Sequence, residues 1–427
     1  MSDGNGPLSG LARKLPGLSS LLDAGAPGPL PVRMLNAAGH RLGNSWIGLD
    51  PDDMVARAER STRLSDWGED KFRDALDRLL ESARSEARLN AMGRLMIRNY
   101  VGRILENRLK VERDLKAYPS ILSEEIRRPV FIVGLPRTGS TLLQRLLARD
   151  PAVRSLQTWE TMYPSPPPEP STYDCDPRIP LTDKRLKMLD WLAPGFAAAH
   201  ELVAGEPEEC VGLLQTSLKS YCFDLFGDFA SYRSWLDEDD QRATYAYYRK
   251  LLQLLQWGYP KDHWVLKSPF HLWGLDALLE TFPDAIIVQT HREPVQVTPS
   301  LCSLLSVTHR LCSDSAQPEA MGPIWLERLA AAMETVMNAR ERVGEDRFVD
   351  ISYRRLAASP VKVASELNDR FGFALSSTAV TAMRAWLGSN QQHKRGVHHY
   401  TLESFGLDAR RVNQAFARYR KRFADYL

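Results

Sequence analysis

The sequence contains little cysteine: five residues among 427, no two of them spaced as C-x-x-C. Disulfide frameworks and structural zinc sites need cysteines at higher density, at short spacing or in even number. The scarcity therefore excludes a disulfide-stapled domain and indicates reduced thiols in a reducing compartment. We expect a cytoplasmic protein.

Long hydrophobic runs are also missing. No stretch approaches the roughly 18 apolar residues of a membrane span, and the N-terminus lacks the pattern of a secretory signal. The charges nearly cancel, since 55 basic and 53 acidic residues give a formal net charge of +2. No overall field attracts nucleic acid or an anionic membrane, so any anion site must be local.

Three regions differ in residue pattern. Residues 1–40 are rich in Gly, Pro and Ser, which predicts a flexible tail. Residues 41–127 carry apolar residues at helical spacing and predict helices that pack on the following domain or cover its substrate. Residues 128–427 alternate strand-like with helical stretches and include a helical insertion around 180–258. This alternation predicts an α/β fold, a P-loop-like parallel sheet flanked by helices. The predicted strands are PVFIVG (129–134), HWVLK (263–267), AIIVQT (285–290) and FVDIS (348–352).

The first predicted strand ends in a glycine loop, GLPRTGSTLL (134–143), followed by a leucine-rich helix. Its glycines have the spacing of the Walker A pattern G-x-x-x-x-G-K-[ST]. Backbone N–H groups of such a loop, together with the helix N-terminus, bind anions. The Walker lysine is replaced by Ser140, however, and Arg137 lies inside the loop. We therefore expect a tetrahedral anion smaller than the β,γ-phosphates of ATP.

Two further strands end in a cation. One ends at Lys267 in VLKSP, and the next is followed by Arg292 in HREPVQVTPS, with Ser300 eight residues later. The carboxyl ends of parallel strands lie at one edge of the sheet, where open α/β folds bind ligands. The sequence therefore predicts that these cations face the glycine loop.

These motifs resemble those of the sulfotransferases that use 3′-phosphoadenosine 5′-phosphosulfate (PAPS). PRTGSTLL is similar to their 5′-phosphosulfate loop, HREPVQVTPS to their 3′-phosphate motif, and VLKSP to the strand-end lysine of the tyrosylprotein branch. The segment FVDISYRRLAASPVKVASELNDRFGF resembles another superfamily segment and places Tyr353 at its tyrosine. The resemblance covers roughly residues 128–427. It implies sulfuryl transfer from PAPS to a hydroxyl acceptor, without a metal.

The resemblance implies binding residues for PAPS. The 5′-phosphosulfate would lie against Arg137, Thr138, Gly139, Ser140 and Thr141. The 3′-phosphate would be held by Arg292 and Ser300, and Tyr353 would position the nucleotide. A basic, glycine-containing C-terminal loop often closes over the nucleotide, which adds Lys394, Arg395 and Gly396.

The resemblance also implies catalytic residues. Lys267 would stabilise the charge that develops on the leaving phosphate. Alignment with the tyrosylprotein branch predicts Glu160 as the general base, although two residues are inserted before it. Cytosolic sulfotransferases use histidine, which makes His271 the second candidate. Glu208 or Glu209, in the EPEE segment, could also face the pocket.

Two other functions fit parts of the pattern. A P-loop kinase of small molecules would share the glycine loop, but the missing Walker lysine and the 3′-phosphate motif count against it. A catalytically silent nucleotide-binding module would be favoured if Glu160 or Lys267 pointed away from the cleft. The pattern leaves the acceptor open beyond a small molecule with a hydroxyl group, and it does not define the oligomeric state.

Overall fold

A five-stranded, fully parallel sheet forms the centre of the computed structural model, which describes residues 28–69, 71–315, 317–390 and 401–427. The strand order is β2-β3-β1-β4-β5. The strands are β1 (Val130–Gly134), β2 (Val153–Arg154), β3 (His263–Lys267), β4 (Ile286–His291) and β5 (Phe348–Ser352).

Helices precede, connect and follow the strands. The N-terminal region contains α1 (Leu30–Leu42), α2 (Pro51–Thr62), α3 (Phe72–Ser85) and α4 (Ala91–Ala117). Between β1 and β3 lie α5 (Ser140–Leu147), α6 (Thr158–Met162), α7 (Arg178–Leu192), α8 (Phe196–Ala199), α9 (Val211–Leu214), α10 (Ala230–Asp237) and α11 (Arg242–Gly258). Next come α12 (Leu275–Thr281), α13 (Pro294–Cys312), α14 (Pro318–Val343), α15 (Tyr353–Ala358), α16 (Pro360–Phe371), α17 (Ser377–Ser389), α18 (Ala409–Ala415) and α19 (Ala417–Arg422). No helix among the described residues is long and apolar enough to cross a bilayer.

The predicted α/β architecture is confirmed. All four predicted strands form within one residue of their expected bounds, and the insertion is helical. The two-residue strand β2 was not predicted, because it is too short to show a strand pattern. The end of the predicted tail is helical, since residues 30–42 form α1, which Pro29 precedes and Gly43 ends. Residues 1–27 lie outside the described part.

The sheet is buried on both faces, because the alternating side chains of β1 enter two different cores. Phe131 and Val133 pack with α11 and α14, whereas Val130 and Ile132 pack with α5 and α16. Helices on both faces explain why β1 consists of apolar residues without alternation. A third core joins the N-terminal helices to the insertion.

The topology reverses at β1. From this central strand the chain first builds β2 and β3 on one side and then crosses to β4 and β5 on the other. Ligands of open α/β sheets bind at the carboxyl ends of the strands beside such a reversal. In the sheet register, Lys267 pairs with Ile132 and Thr290 with Gly134, so three strand ends converge there.

Candidate active site

The loop between β1 and α5 has a backbone that requires glycine at two positions. Gly134 has φ +142° and Gly139 has φ +86°, which side-chain-bearing residues rarely adopt. A Cβ at Gly139 would lie 2.9 Å from the Tyr353 ring, and one at Gly134 would lie 2.5 Å from the carbonyl oxygen of Thr290. The loop is therefore pressed against β4 and α15, and α5 begins directly after it.

Thr138 holds this loop in shape and does not extend into solvent. Its fully buried hydroxyl donates to the Leu135 carbonyl oxygen at 2.7 Å and lies 2.6 Å from the Thr290 hydroxyl. Ser140 and Thr141 form the first turn of α5, where unpaired backbone N–H groups and the helix dipole favour an anion. The loop therefore leads directly into the N-terminus of α5, the end of a helix at which anions are favoured.

Arg292 links the end of β4 to this loop. Its guanidinium donates to the Arg137 carbonyl oxygen at 2.9 Å and to the Gln296 side chain at 3.0 Å. It also lies over the Tyr353 ring, 4.3 Å from the ring centre. The structure therefore brings Arg292 together with the backbone of Arg137 and with Tyr353, as predicted. Ser300 is buried in α13.

A buried ionic network fixes the end of β4. Asp350 of β5 accepts from Arg340 at 2.7 and 2.8 Å and bonds His291 Nε2 at 2.8 Å, while His291 Nδ1 bonds the Tyr419 hydroxyl. Burial raises the Asp350 pKa, but the hydrogen bonds from Arg340 and His291 lower it more, to about 2. The network orients the strand end that carries Arg292, and no local sequence motif marks Asp350 or Arg340.

We expect Asp350→Asn to be less stable than wild type by about 2 kcal/mol at neutral pH. The folded pKa lies below the ordinary value of 3.8, so the ionised carboxylate stabilises the fold above about pH 4. This stabilisation is lost as the pH falls from about 4 to about 2, so the unfolding free energies of wild type and Asp350→Asn should become equal. Urea unfolding at about pH 7 and about pH 3 measures the difference. An equal difference at both pH values would contradict the ionic role.

Lys267 ends β3, on the other side of β1 from β4. Its side chain is only 1% exposed, and its ammonium donates to Glu209 Oε1 at 2.7 Å and to the Thr141 hydroxyl at 3.2 Å. Thr141 belongs to the first turn of α5, so the buried ammonium faces the anion-binding end of that helix. The predicted approach of Lys267 to the glycine loop is present.

Beside Lys267 lies a compact group formed by His200, Glu208 and Glu209, whose polar atoms lie within 4.8 Å of one another. His200 Nε2 is 3.1 Å from Glu208 Oε1. Burial raises the Glu208 pKa, but the charge and hydrogen bond of His200 and the charge of Lys267 lower it more, to about 2. These residue types could ligate a metal, yet the Lys267 ammonium already neutralises Glu209.

Comparison with known proteins identifies the family. A model described as the sulfotransferase family matches residues 129–377, more than half of the chain. The chain belongs to the sulfotransferase family.

Two solved sulfotransferases share the fold over most of their length. Sulfotransferase STF1 of Mycobacterium tuberculosis H37Rv is 34% identical with a TM-score of 0.77, and the match covers 86% of this chain and 98% of that one. STF9 of Mycobacterium avium is 30% identical with a TM-score of 0.81, covering 87% and 96%. Among curated proteins, the omega-hydroxy-beta-dihydromenaquinone-9 sulfotransferase Stf3 of Mycobacterium bovis is 24% identical over 293 residues, 64% of this chain and 70% of that protein.

Glu160 of this sulfotransferase is enclosed in the protein. Its side chain is 0% exposed, and its carboxylate accepts two hydrogen bonds from the buried Arg154 guanidinium. The bond to Glu160 Oε2 is 2.9 Å long. The same carboxylate accepts from the Gln157 backbone N–H at 2.9 Å and from the Tyr173 hydroxyl at 3.2 Å. In the part of the chain that is described, it does not contact Lys267. This arrangement argues against the predicted role of Glu160 as the base.

His271 is a core residue. It is 0% exposed, its Nδ1 is 2.7 Å from the Tyr245 hydroxyl, and its ring packs against Phe131 and Tyr248. Its Nε2 has no hydrogen-bond partner among the residues described. Burial lowers its pKa to about 3, so the ring is neutral. An acceptor cannot reach it, which argues against the predicted alternative base.

Three further predicted residues are not part of the described chain, and His200 was missed. Lys394, Arg395 and Gly396 lie outside the described residues. His200 was not identified from the sequence, because it follows a short helix with no recognisable motif. The EPEE segment was the one local signal for the group beside Lys267.

Proposed function

We propose that this sulfotransferase transfers the sulfuryl group of PAPS to a hydroxyl of a small apolar acceptor. The observation that carries the proposal is the Lys267 ammonium, buried 3.2 Å from the Thr141 hydroxyl at the start of α5. A cation at this point would face both the phosphate of a donor bound in the loop and the sulfuryl group that is transferred from it. A Walker lysine for a γ-phosphate is absent from the loop.

The loop residues 137–141 would receive the 5′-phosphosulfate. Backbone N–H groups at the start of α5 and the hydroxyls of Ser140 and Thr141 are the donors available to it. Arg292 would hold the 3′-phosphate, because its planar guanidinium suits a phosphate and it already contacts the loop backbone. Tyr353, stacked on Arg292, would border the nucleotide.

Lys267 would act on the transferred group. In an in-line displacement, the acceptor oxygen forms a bond to sulfur while the bond from sulfur to the 5′-phosphate oxygen breaks. Negative charge then develops on the departing phosphate, and a cation fixed beside it stabilises the transition state more than the ground state. The burial of Lys267 strengthens this effect because little water screens it.

The acceptor is proposed to be apolar around its hydroxyl. The related Mycobacterium bovis protein is named for a hydroxylated dihydromenaquinone, a hydroxyl on an apolar molecule. This relative supports an apolar hydroxyl compound over a sugar.

The reaction is proposed to take place in the cytoplasm. All five cysteines are free thiols in the structure, four of them buried, which agrees with a reducing compartment. We infer no nucleic-acid partner, since the net charge is only +2.

The donor assignment predicts a preference for a 3′-phosphate. Adenosine 3′,5′-bisphosphate should bind at least tenfold more tightly than ADP, because a charge-assisted contact to Arg292 contributes about 1.5–3 kcal/mol. Arg292→Ala should remove most of this preference while leaving ADP affinity nearly unchanged. Calorimetry with both nucleotides on both proteins measures it, and equal affinities in wild type would refute the 3′-phosphate site.

The reaction itself is tested by label transfer. We expect ³⁵S to move from PAPS to a panel of apolar alcohols and phenols, with no transfer of ³²P from γ-labelled ATP. Nucleotide binding without transfer of either label would indicate the silent binding module.

A further inference from the structure

We propose that Glu209 is the general base of the reaction and that donor binding releases it from Lys267. The inference rests on the proposed sulfuryl transfer from PAPS and adds to it the residue that takes the acceptor proton. A base must lie within hydrogen-bond reach of an acceptor placed in line with the transferred group. The carboxylate of Glu209 lies 2.7 Å from the ammonium that would contact that group.

Glu209 is accessible where the two predicted bases are not. Its side chain is 13% exposed, whereas Glu160 and His271 are both 0% exposed. The ion pair with Lys267 engages Oε1 of Glu209. Glu209 therefore combines partial exposure with direct contact to Lys267.

The backbone on each side of Glu209 is anchored to the core of the fold. The Glu208 N–H donates to the Leu156 carbonyl oxygen, and the Cys210 N–H donates to the Lys267 carbonyl oxygen, both at 2.8 Å. The Gln144 side chain of α5 donates to the Glu208 carbonyl oxygen at 3.1 Å. The position of the carboxylate is thus fixed relative to both β3 and α5, as a catalytic group requires.

Donor binding would change the partners of Glu209. Without donor, the Glu209 carboxylate pairs with the Lys267 ammonium at 2.7 Å. When the ammonium turns to a bound sulfuryl group, Glu209 loses that partner, and its carboxylate can accept a hydrogen bond from the hydroxyl of the acceptor.

The step balances without any further reactant. The acceptor oxygen forms its bond to sulfur, and its proton passes to the Glu209 carboxylate. The bond between sulfur and the bridging oxygen breaks, and its electron pair stays on the 5′-phosphate, which leaves as part of adenosine 3′,5′-bisphosphate. Glu209 returns the proton to solvent when Lys267 pairs with it again.

Glu209→Gln tests the proposal, with Glu206→Gln as the matched control. Glu206 lies in the same segment and forms an ion pair with Arg149. We expect Glu209→Gln to lower turnover of a weakly acidic alcohol at least 100-fold, whereas Glu206→Gln should remain near wild type. A more acidic phenol should recover much of the loss, because it needs less help to lose its proton.

A binding measurement separates the base role from a merely structural one. Because Glu209 competes with the sulfuryl group for Lys267, Glu209→Gln should bind PAPS as tightly as wild type or more tightly. Binding of adenosine 3′,5′-bisphosphate, which has no sulfuryl group, should not change. Near-normal turnover of Glu209→Gln, or weaker PAPS binding, would overturn the inference. If wild type itself neither binds PAPS nor transfers label from it, the proposed function fails instead.

Discussion

Replacement of Lys267 by methionine is expected to lower turnover by roughly 10²–10³-fold while adenosine 3′,5′-bisphosphate binds almost as well as to wild type. Methionine keeps most of the buried side-chain volume but removes the charge that would stabilise the departing phosphate. The product nucleotide lacks the sulfuryl group, so it depends little on this ammonium. Steady-state rates with PAPS and calorimetry with the product measure the two effects.

In Lys267→Met the Glu209 carboxylate loses the ammonium that lies 2.7 Å away in wild type. A control must therefore separate this loss from the loss of the lysine itself. The double variant Lys267→Met/Glu209→Gln removes the unpaired carboxylate and should fold at least as stably as Lys267→Met. A more acidic acceptor should rescue Glu209→Gln but leave Lys267→Met slow, because the two residues act at opposite ends of the displacement. Full rescue of Lys267→Met by an acidic acceptor would contradict its role at the leaving group.

The elements that sequence predicted correctly are those with local causes. The strands around the site are short apolar runs that end in glycine or in a charged residue, and the loop before α5 carries its glycines at fixed spacing. Each of these signals lies within about ten residues of chain. The convergence of Lys267 and Thr141 followed from the rule that parallel strands end at one edge of the sheet.

The direction in which a side chain points is harder to predict, because chain spacing does not determine it. Glu160 was placed by counting from the loop, but α6 begins with a capping box in which its carboxylate accepts from the Gln157 backbone N–H. That local bond turns the side chain inward to Arg154. Glu209 reaches Lys267 across 58 residues of chain, through an insertion whose path has no sequence signature. Tertiary structure alone shows which carboxylate faces the lysine.

The ion pair of Glu160 leads to a prediction on stability. Glu160→Ala should lower the free energy of unfolding by about 3–5 kcal/mol, because it leaves a buried charge without its partner. That charge is Arg154, 2% exposed and packed against the rings of Tyr173 and Trp264. Urea unfolding followed by tryptophan fluorescence measures the change.

The control for the stability of Glu160→Ala is Glu280→Ala, which removes a carboxylate from an ion pair at the surface. Glu280 forms a two-pronged pair with Arg242 at 2.7 and 3.0 Å, but both side chains are more than half exposed, so water replaces the lost partner and the effect should be far smaller. Folded Glu160→Gln should in turn keep its turnover within a few-fold of wild type, since the carboxylate is fully buried and paired with Arg154. If Glu160→Gln instead kept wild-type stability and product affinity but lost turnover at least 100-fold, Glu160 would be the base. Glu209 would then serve only to hold Lys267 in place.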